Sequence, residues 1–146
     1  MQIRFEIPGP PKGKARHRTT KSGHSYTPKE TVRYENLVRL CFTAARQNDG
    51  ASPEPWTGPV WLDVEAVFSV PASWPRWKTE KALLTAYRHC GRPDLDNVVK
   101  AVLDGLNGVA YKDDAQVCAI QARKRYGKTP RVKVMVTLDA QATKGD

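Results

Sequence analysis

The sequence predicts a single α+β domain in which helices cover a mixed β-sheet. Three observations carry that expectation. The 146 residues are enough for one core and too few for two comfortable ones. Apolar residues alternate at period two near 2–7, 60–68 and 131–138, the spacing of strands with one buried face. Between these lie stretches of helical spacing with their own start and stop residues. The order is β-α-β-(α)-α-β-β, with residues 1–146 forming one unit.

The first strand places Ile3, Phe5 and Ile7 on one face, and Pro8, Pro10 and Pro11 end it because proline offers no ladder donor. The next stretch carries Lys12, Lys14, Arg16, Arg18, Lys21 and Lys29 without a single acid. It reads either as a solvated loop or as one that moulds to phosphates through its cations and Gly13 and Gly23. The overall charge favours phosphate contact. His17 and His24 have no partner at metal-ligand spacing. Thr27-Pro28-Lys29-Glu30 is a helix start, with Thr27 as cap, Pro28 at the first helical position and Glu30 completing a capping box. This helix is expected to reach about Gln47 with Leu37, Leu40, Cys41 and Ala44 inward, before Asn48-Asp49-Gly50 stops it.

Residues 50–59 form a connector rich in proline and glycine. The second strand points Val60, Leu62, Val64, Ala66 and Phe68 one way and Trp61, Asp63 and Glu65 the other. The two acids suit an exposed polar face, or support for a metal. Residues 71–91 read as a variable insertion, in which Thr79 caps a helix through Tyr87. Trp74 and Trp77 there either stack on bases or join the core. Residues 116–126 and 131–138 read as a hairpin around Gly127-Lys128-Thr129-Pro130. Residues 140–146 read as a frayed tail.

Charge narrows the partner. Lys and Arg number 24 against 15 Asp and Glu, for a net +9 and a pI near 9.7. Such a surface attracts polyanions. No segment has the apolar length of a membrane span, and the N-terminus lacks a secretory pattern. Neither membrane nor export is expected. Cys41, Cys90 and Cys118 are odd in number and far apart, which signals neither a zinc module nor a disulfide framework and suits reduced thiols in a cytoplasm.

Chemistry concentrates between Arg92 and Asp114, R-P-D-L-D-N-V-V-K-A-V-L-D-G-L-N-G-V-A-Y-K-D-D. Pro93 keeps Arg92 out of the helix and leaves Asp94 at its mouth. Leu95, Val99, Val102 and Leu106 form the buried stripe, and Asn107-Gly108 ends it. Asp96 and Lys100 are four apart on another face, with Asp104 one turn on. A structural reading exists: Asp94 caps, Asp96 suits the helix dipole, and Lys100 pairs with Asp96 or Asp104. The chemical reading is that carboxylates in a cationic protein bind a hard divalent ion, which activates water against a phosphodiester while lysine steadies charge.

The run R-P-D-L-D-N-V-V-K followed by Y-K-D-D-A-Q-V resembles the RusA family of Holliday-junction resolvases, and weaker likeness extends to the first strand, the basic loop and the first helix. The resemblance implies that Asp94, Asp96 and Asp114 bind Mg²⁺ and that Lys100 assists catalysis, with Asp113 secondary. It also implies a homodimer making paired nicks in four-way DNA junctions, in recombination and repair. Lys12, Lys14, Arg16, Arg18, Lys21 and Arg92 are the expected DNA contacts. One departure is that Tyr87-Arg88-His89-Cys90-Gly91-Arg92-Pro93 stands where the family has a run of arginines before the first acid. The competing expectations are a basic DNA-binding protein without cleavage, and a nuclease for another branched nucleic acid.

Overall fold

A computed structural model describes residues 1–15, 18–26 and 28–140, with Arg18 described in its backbone alone. The expected cap at Thr27, the loop residues Arg16 and His17, and residues 141–146 of the expected tail lie outside the described residues. Strand β1 spans Gln2–Pro8, and β2 (Arg18–Thr19) pairs with β3 (Ser25–Tyr26) in a small antiparallel hairpin. Helix α1 (Lys29–Asn48), strand β4 (Val60–Ser69), helices α2 (Arg76–Leu83) and α3 (Leu95–Leu106), and strands β5 (Val117–Gly127) and β6 (Arg131–Leu138) follow.

The α+β class and the element order match expectation; the strand neighbours do not. The sheet order is β1-β6-β4-β5, with β4 and β5 parallel and the other pairs antiparallel. The expected β5–β6 hairpin is therefore incorrect. Residues 128–130 step over the end of β4, across two strand spacings of about 10 Å. Gly127 makes that step fit, because a Cβ there would lie 2.5 Å from Val67 Cγ1. A Gly-Lys-Thr-Pro turn reads the same whether its strands touch or flank a third.

Side chains at alternate positions build the core. Phe5, Val134, Val64 and Ala122 register across the sheet, as do Ile3, Val136, Leu62 and Ile120. Helix α1 packs on β1 and α3 through Tyr34, Val38 and Phe42, with the Phe42 ring edge-on to Phe5 at 5.7 Å. The inward stripe of α1 thus differs from the one expected. Leu37 and Cys41 are half-buried and Ala44 is exposed, while Leu40 is 67% exposed. The partners of α1 select its larger aromatic face; local spacing alone allowed a rotation. Helix α2 also departs from expectation. Pro75 precedes its first residue, Thr79 falls inside it, and it ends at Leu83, where Thr85 adopts φ 65° and Ala86 N–H reaches back to Lys81 O at 2.9 Å.

The close contact of α1 with α3 fixes the helix that carries the acidic motif. Gly105 faces Val38 so tightly that an added Cβ would lie 2.7 Å from Val38 Cβ and 3.1 Å from Glu35 O. Gly105→Val is expected to lower stability by about 2–3 kcal/mol by forcing the helices apart. A urea midpoint equal to that of the native protein would contradict this packing.

The opposite face of the sheet is charged. Glu6, Lys133, Glu65 and Arg123 register in one row of alternating sign. The Asp63 and Glu65 pair is not free for a metal: Arg123 holds Glu65 at 2.7 Å and Asp63 at 3.2 Å, and Arg125 holds Glu65 at 2.6 Å. Burial raises the pKa of Glu65, but Arg125 and Arg123 outweigh it and hold the carboxyl below its ordinary value. A lowered carboxyl pKa stabilises the fold above the ordinary glutamate range, and that contribution is lost as pH falls through the lowered value. Glu65→Gln is expected to lower stability near neutrality and to flatten its decline in acid. Parallel acid-denaturation curves for the two proteins would exclude this linkage.

Candidate active site

Pro93 hands the chain to α3 at Asp94, whose backbone is extended at φ −64°, ψ 142° and whose carbonyl accepts the first helical bond from Val98 N–H at 3.1 Å. The preceding Arg92–Pro93 peptide is cis. Val98, Val99, Ala101, Val102, Gly105 and Leu106 turn inward, leaving Asp94, Asp96 and Lys100 exposed. Leu95, expected in the buried stripe, is half-buried.

The structural reading of these groups is realised only in the dipole placement of Asp96. The Asp94 side chain makes no capping bond. Among the described residues, neither Asp96 nor Lys100 belongs to an ion pair, and Asp104 pairs instead with Lys14. Both acids remain favourably placed at the positive end of the α3 dipole. They are therefore open to an external ligand.

The turn after Asn107 returns the second half of the motif to α3. Gly108 takes φ +80°, and Val109 and Ala110 N–H groups close on Leu106 O at 3.1 and 2.9 Å. Tyr111 is fully buried, and its hydroxyl donates to Leu103 O at 2.7 Å. Burial raises its pKa, and the nearby carboxylates of Asp114, Asp104 and Asp113 raise it further. Arg46 of α1 secures the same turn by donating to Val109 O at 2.8 Å. Asp104 of α3 thus shares an electrostatic neighbourhood around Tyr111 with Asp113 and Asp114.

Gln116 fixes the segment bearing Asp113 and Asp114. Its Oε1 accepts from the Lys112 and Asp113 N–H groups, each at 3.0 Å, and its Nε2 donates to Trp56 O at 2.8 Å and Gly58 O at 2.9 Å. Sequence reasoning gave this residue and Tyr111 no role. A polar side chain just before a strand was the available signal, but its four partners lie in two separate loops.

The basic loop is divided between framework and surface. Lys14 Nζ lies 2.6 Å from Glu35 of α1 and 3.0 Å from Asp104 of α3, largely shielded from solvent. Burial lowers its pKa, but the two carboxylates outweigh that and leave the ammonium above its ordinary value. Lys14, expected as a phosphate contact, clamps the two helices together through these pairs. The Lys14 N–H also donates to Asn97 O at 2.9 Å, and a Cβ on Gly13 would approach Pro93 and Asn97 Cβ atoms at 3.0 and 3.1 Å.

Lys12, Lys14, Tyr34, Arg92, Asp94 and Asn97 line a groove of about 490 Å³ between this loop, α1 and α3. It unites four of the expected residues: Lys12, Lys14, Arg92 and Asp94. Asp96, Lys100 and Asp114 lie outside its lining, while Lys21 is exposed in the β2–β3 turn. A comparable depression of about 530 Å³ sits on the charged face of the sheet, among Arg4, Glu6, Asp63 and Arg123, away from the motif.

Oxygen donors of this kind suit Mg²⁺, which keeps several waters and takes one or two carboxylates together with substrate phosphate. They do not form an all-protein cage: among the described residues, no three His, Cys, Asp or Glu side chains are gathered closely enough to hold a metal. The described cysteines are free thiols. No helix among the described residues is long and apolar enough to cross a membrane.

The site is an acidic helix mouth in a basic α+β domain, beside a groove to which Lys12 and Arg92 contribute positive charge. Residues 8–137 match the family described as endodeoxyribonuclease RusA, and the chain belongs to that family. It is also similar to the uncharacterized protein YqaN of Bacillus subtilis (strain 168), at 36% identity over 140 residues, covering 92% of this chain and 94% of that protein.

Gln116→Ala removes four hydrogen bonds and leaves two carbonyls and two amides without that partner. It is expected to cost about 1–3 kcal/mol and to speed hydrogen exchange at Lys112 and Asp113. Unchanged exchange at those two amides would show that another contact holds the segment.

Proposed function

We propose that the protein is a Mg²⁺-dependent endodeoxyribonuclease that resolves four-way DNA junctions by paired phosphodiester hydrolysis, in recombination and repair in the cytoplasm. One observation carries the reading: Asp94, Asp96 and Lys100 stand exposed at the mouth of α3, with no intramolecular ion pair among the described residues. Several carboxylates elsewhere in this chain of net charge +9 are taken up by lysine or arginine, among them Glu65, Asp63, Glu35 and Asp104. Membership of the RusA endodeoxyribonuclease family supports nuclease action on DNA.

Asp94 and Asp96 are the proposed metal ligands, with Asp114 joining them around the substrate phosphate. Bound Mg²⁺ would supply an activated water and polarise the phosphoryl oxygens. Lys12 and Arg92 hold the DNA backbone beside Asp94, where phosphate contacts set position without reading sequence. Lys100, one turn beyond Asp96, offsets negative charge as it develops on the departing oxygen. Lys21 extends the cationic surface from the β2–β3 turn, and Arg16 and Arg18 belong to the same basic segment. A homodimer presents two such sites, one for each strand to be cut.

The test is a labelled four-way junction incubated with and without Mg²⁺, beside an Asp96→Asn variant. Paired, metal-dependent nicks are expected, reduced on the order of 100-fold in the variant with binding retained. Binding without metal-dependent cutting by the native protein would instead identify a non-catalytic DNA-binding protein. Equal cutting of linear duplex and junction would remove the claim of structural selectivity.

A further inference from the structure

The segment between β4 and the acidic motif contains two tryptophans, and the structure assigns them different tasks. Trp74 belongs to the framework. Its ring meets Tyr126 edge-on at 5.2 Å and Tyr87 at 6.4 Å, and Lys78 Nζ sits 3.9 Å from the ring centroid. Trp77, the second residue of α2, is 55% exposed, with Lys81 Nζ 5.6 Å from its ring. Trp77, Lys81 and Leu84 recur at helical spacing on one side, and Leu84 is 79% exposed. Ala82 is the buried residue of α2, so the helix is held by its inner side and presents the other outward.

We propose that the outward side of α2 is a nucleic-acid platform, in which Trp77 stacks on an unpaired base at the branch point and Arg76 and Lys81 hold the adjoining phosphates. The proposal rests on the branched-DNA reading above and adds a specificity-determining surface to it. Charge selects the occupant. Residues 71–91 carry Arg76, Lys78, Lys81 and Arg88 against one acid, Glu80, which Arg76 engages at 3.0 Å. Protein interfaces are depleted in lysine at their cores, whereas grooves for single strands combine cations with exposed aromatic rings. A base inside a continuous duplex has both faces covered, so stacking requires one that has left its helix.

The platform is tied to the motif rather than hanging free. His89 stacks on Phe68 at 3.6 Å with the rings 3° from parallel. Lys124 of β5 donates to Gly91 O at 2.7 Å, and Arg88 reaches Lys124 O at 3.4 Å. These contacts anchor residues 88–91 immediately before Arg92 and Asp94. A base held by Trp77 would therefore set the register of the strand entering the acidic site.

The test measures binding without cutting, in an Asp96→Asn background. Fluorescence anisotropy compares Trp77→Ala and Trp77→Phe on three DNAs: a junction with an unpaired nucleotide at its crossover, a fully paired linear duplex, and a single strand. Trp77→Ala is expected to weaken binding to the unpaired junction and the single strand by about ten-fold while leaving the duplex unchanged, and Trp77→Phe to restore most of the loss. Replacing Arg76 and Lys81 by Gln is expected to weaken all three and to reduce the salt dependence. Equal affinities for Trp77→Ala and its parent overturn the platform and leave the junction reading intact. Failure of the parent to bind any of the DNAs overturns both. A change in oligomeric state on Trp77→Ala, with DNA affinity unaltered, overturns the platform by assigning the surface to a protein partner.

Discussion

The parallel pairing of β4 with β5 governs the arrangement of this protein. Neighbouring parallel strands cannot be joined by a tight turn, so the chain must travel back along the sheet before β5 begins. Both halves of the acidic motif lie within that return, from Ser69 to Val117. Helix α3 occupies its middle and packs on β4, β5 and α1. The 3₁₀ turn at Asp114–Gln116 delivers the chain to β5. Consequently Asp94 and Asp114, twenty positions apart, belong to one crossover. Tyr111 completes the geometry by burying its ring beneath the return and bonding the carbonyl of Leu103.

The same architecture divides the charges. Lys14 joins α1 to α3 through Glu35 and Asp104, and Arg123 and Arg125 cross-link the outer face of the sheet through Glu65. Such pairs add little net stability once desolvation is counted, but removing one partner leaves a costly uncompensated charge. They act chiefly by fixing which elements lie side by side. Among the described residues without an ion pair are Asp94 and Asp96 at the start of α3, Lys100 one turn on, and Lys12 and Arg92 lining the groove. The net positive charge is therefore not a uniform coat. Part of it is held in ion pairs within the fold, and part is exposed at the surface.

Much of this was legible along the chain. The strand near the N-terminus, β4, β6 and the limits of α3 follow from local periodicity and from Pro93 and Gly108. The acidic motif stood out because its spacing on a helix leaves Asp96 and Lys100 off the buried stripe. The inward face of α1 was less legible, since Leu40 and Val38 both satisfy a helical pattern and contact with β1 and α3 chooses between them. The stop of α2 was hidden as well, because Thr85 is not a residue that announces positive φ.

Amino-acid order alone determined the class of fold, the excess of positive charge and the residues that cluster in the motif, since each depends on neighbours within a turn or a strand. Tertiary structure decided the strand order, the inward face of α1, the capture of Lys14 by Asp104 and the exposure of Trp77 near a half-buried Trp74. Those outcomes depend on partners far away in sequence. A lysine in a loop and an aspartate ninety residues later carry no local mark of each other, and only the packing of α1 against α3 brings their charges together.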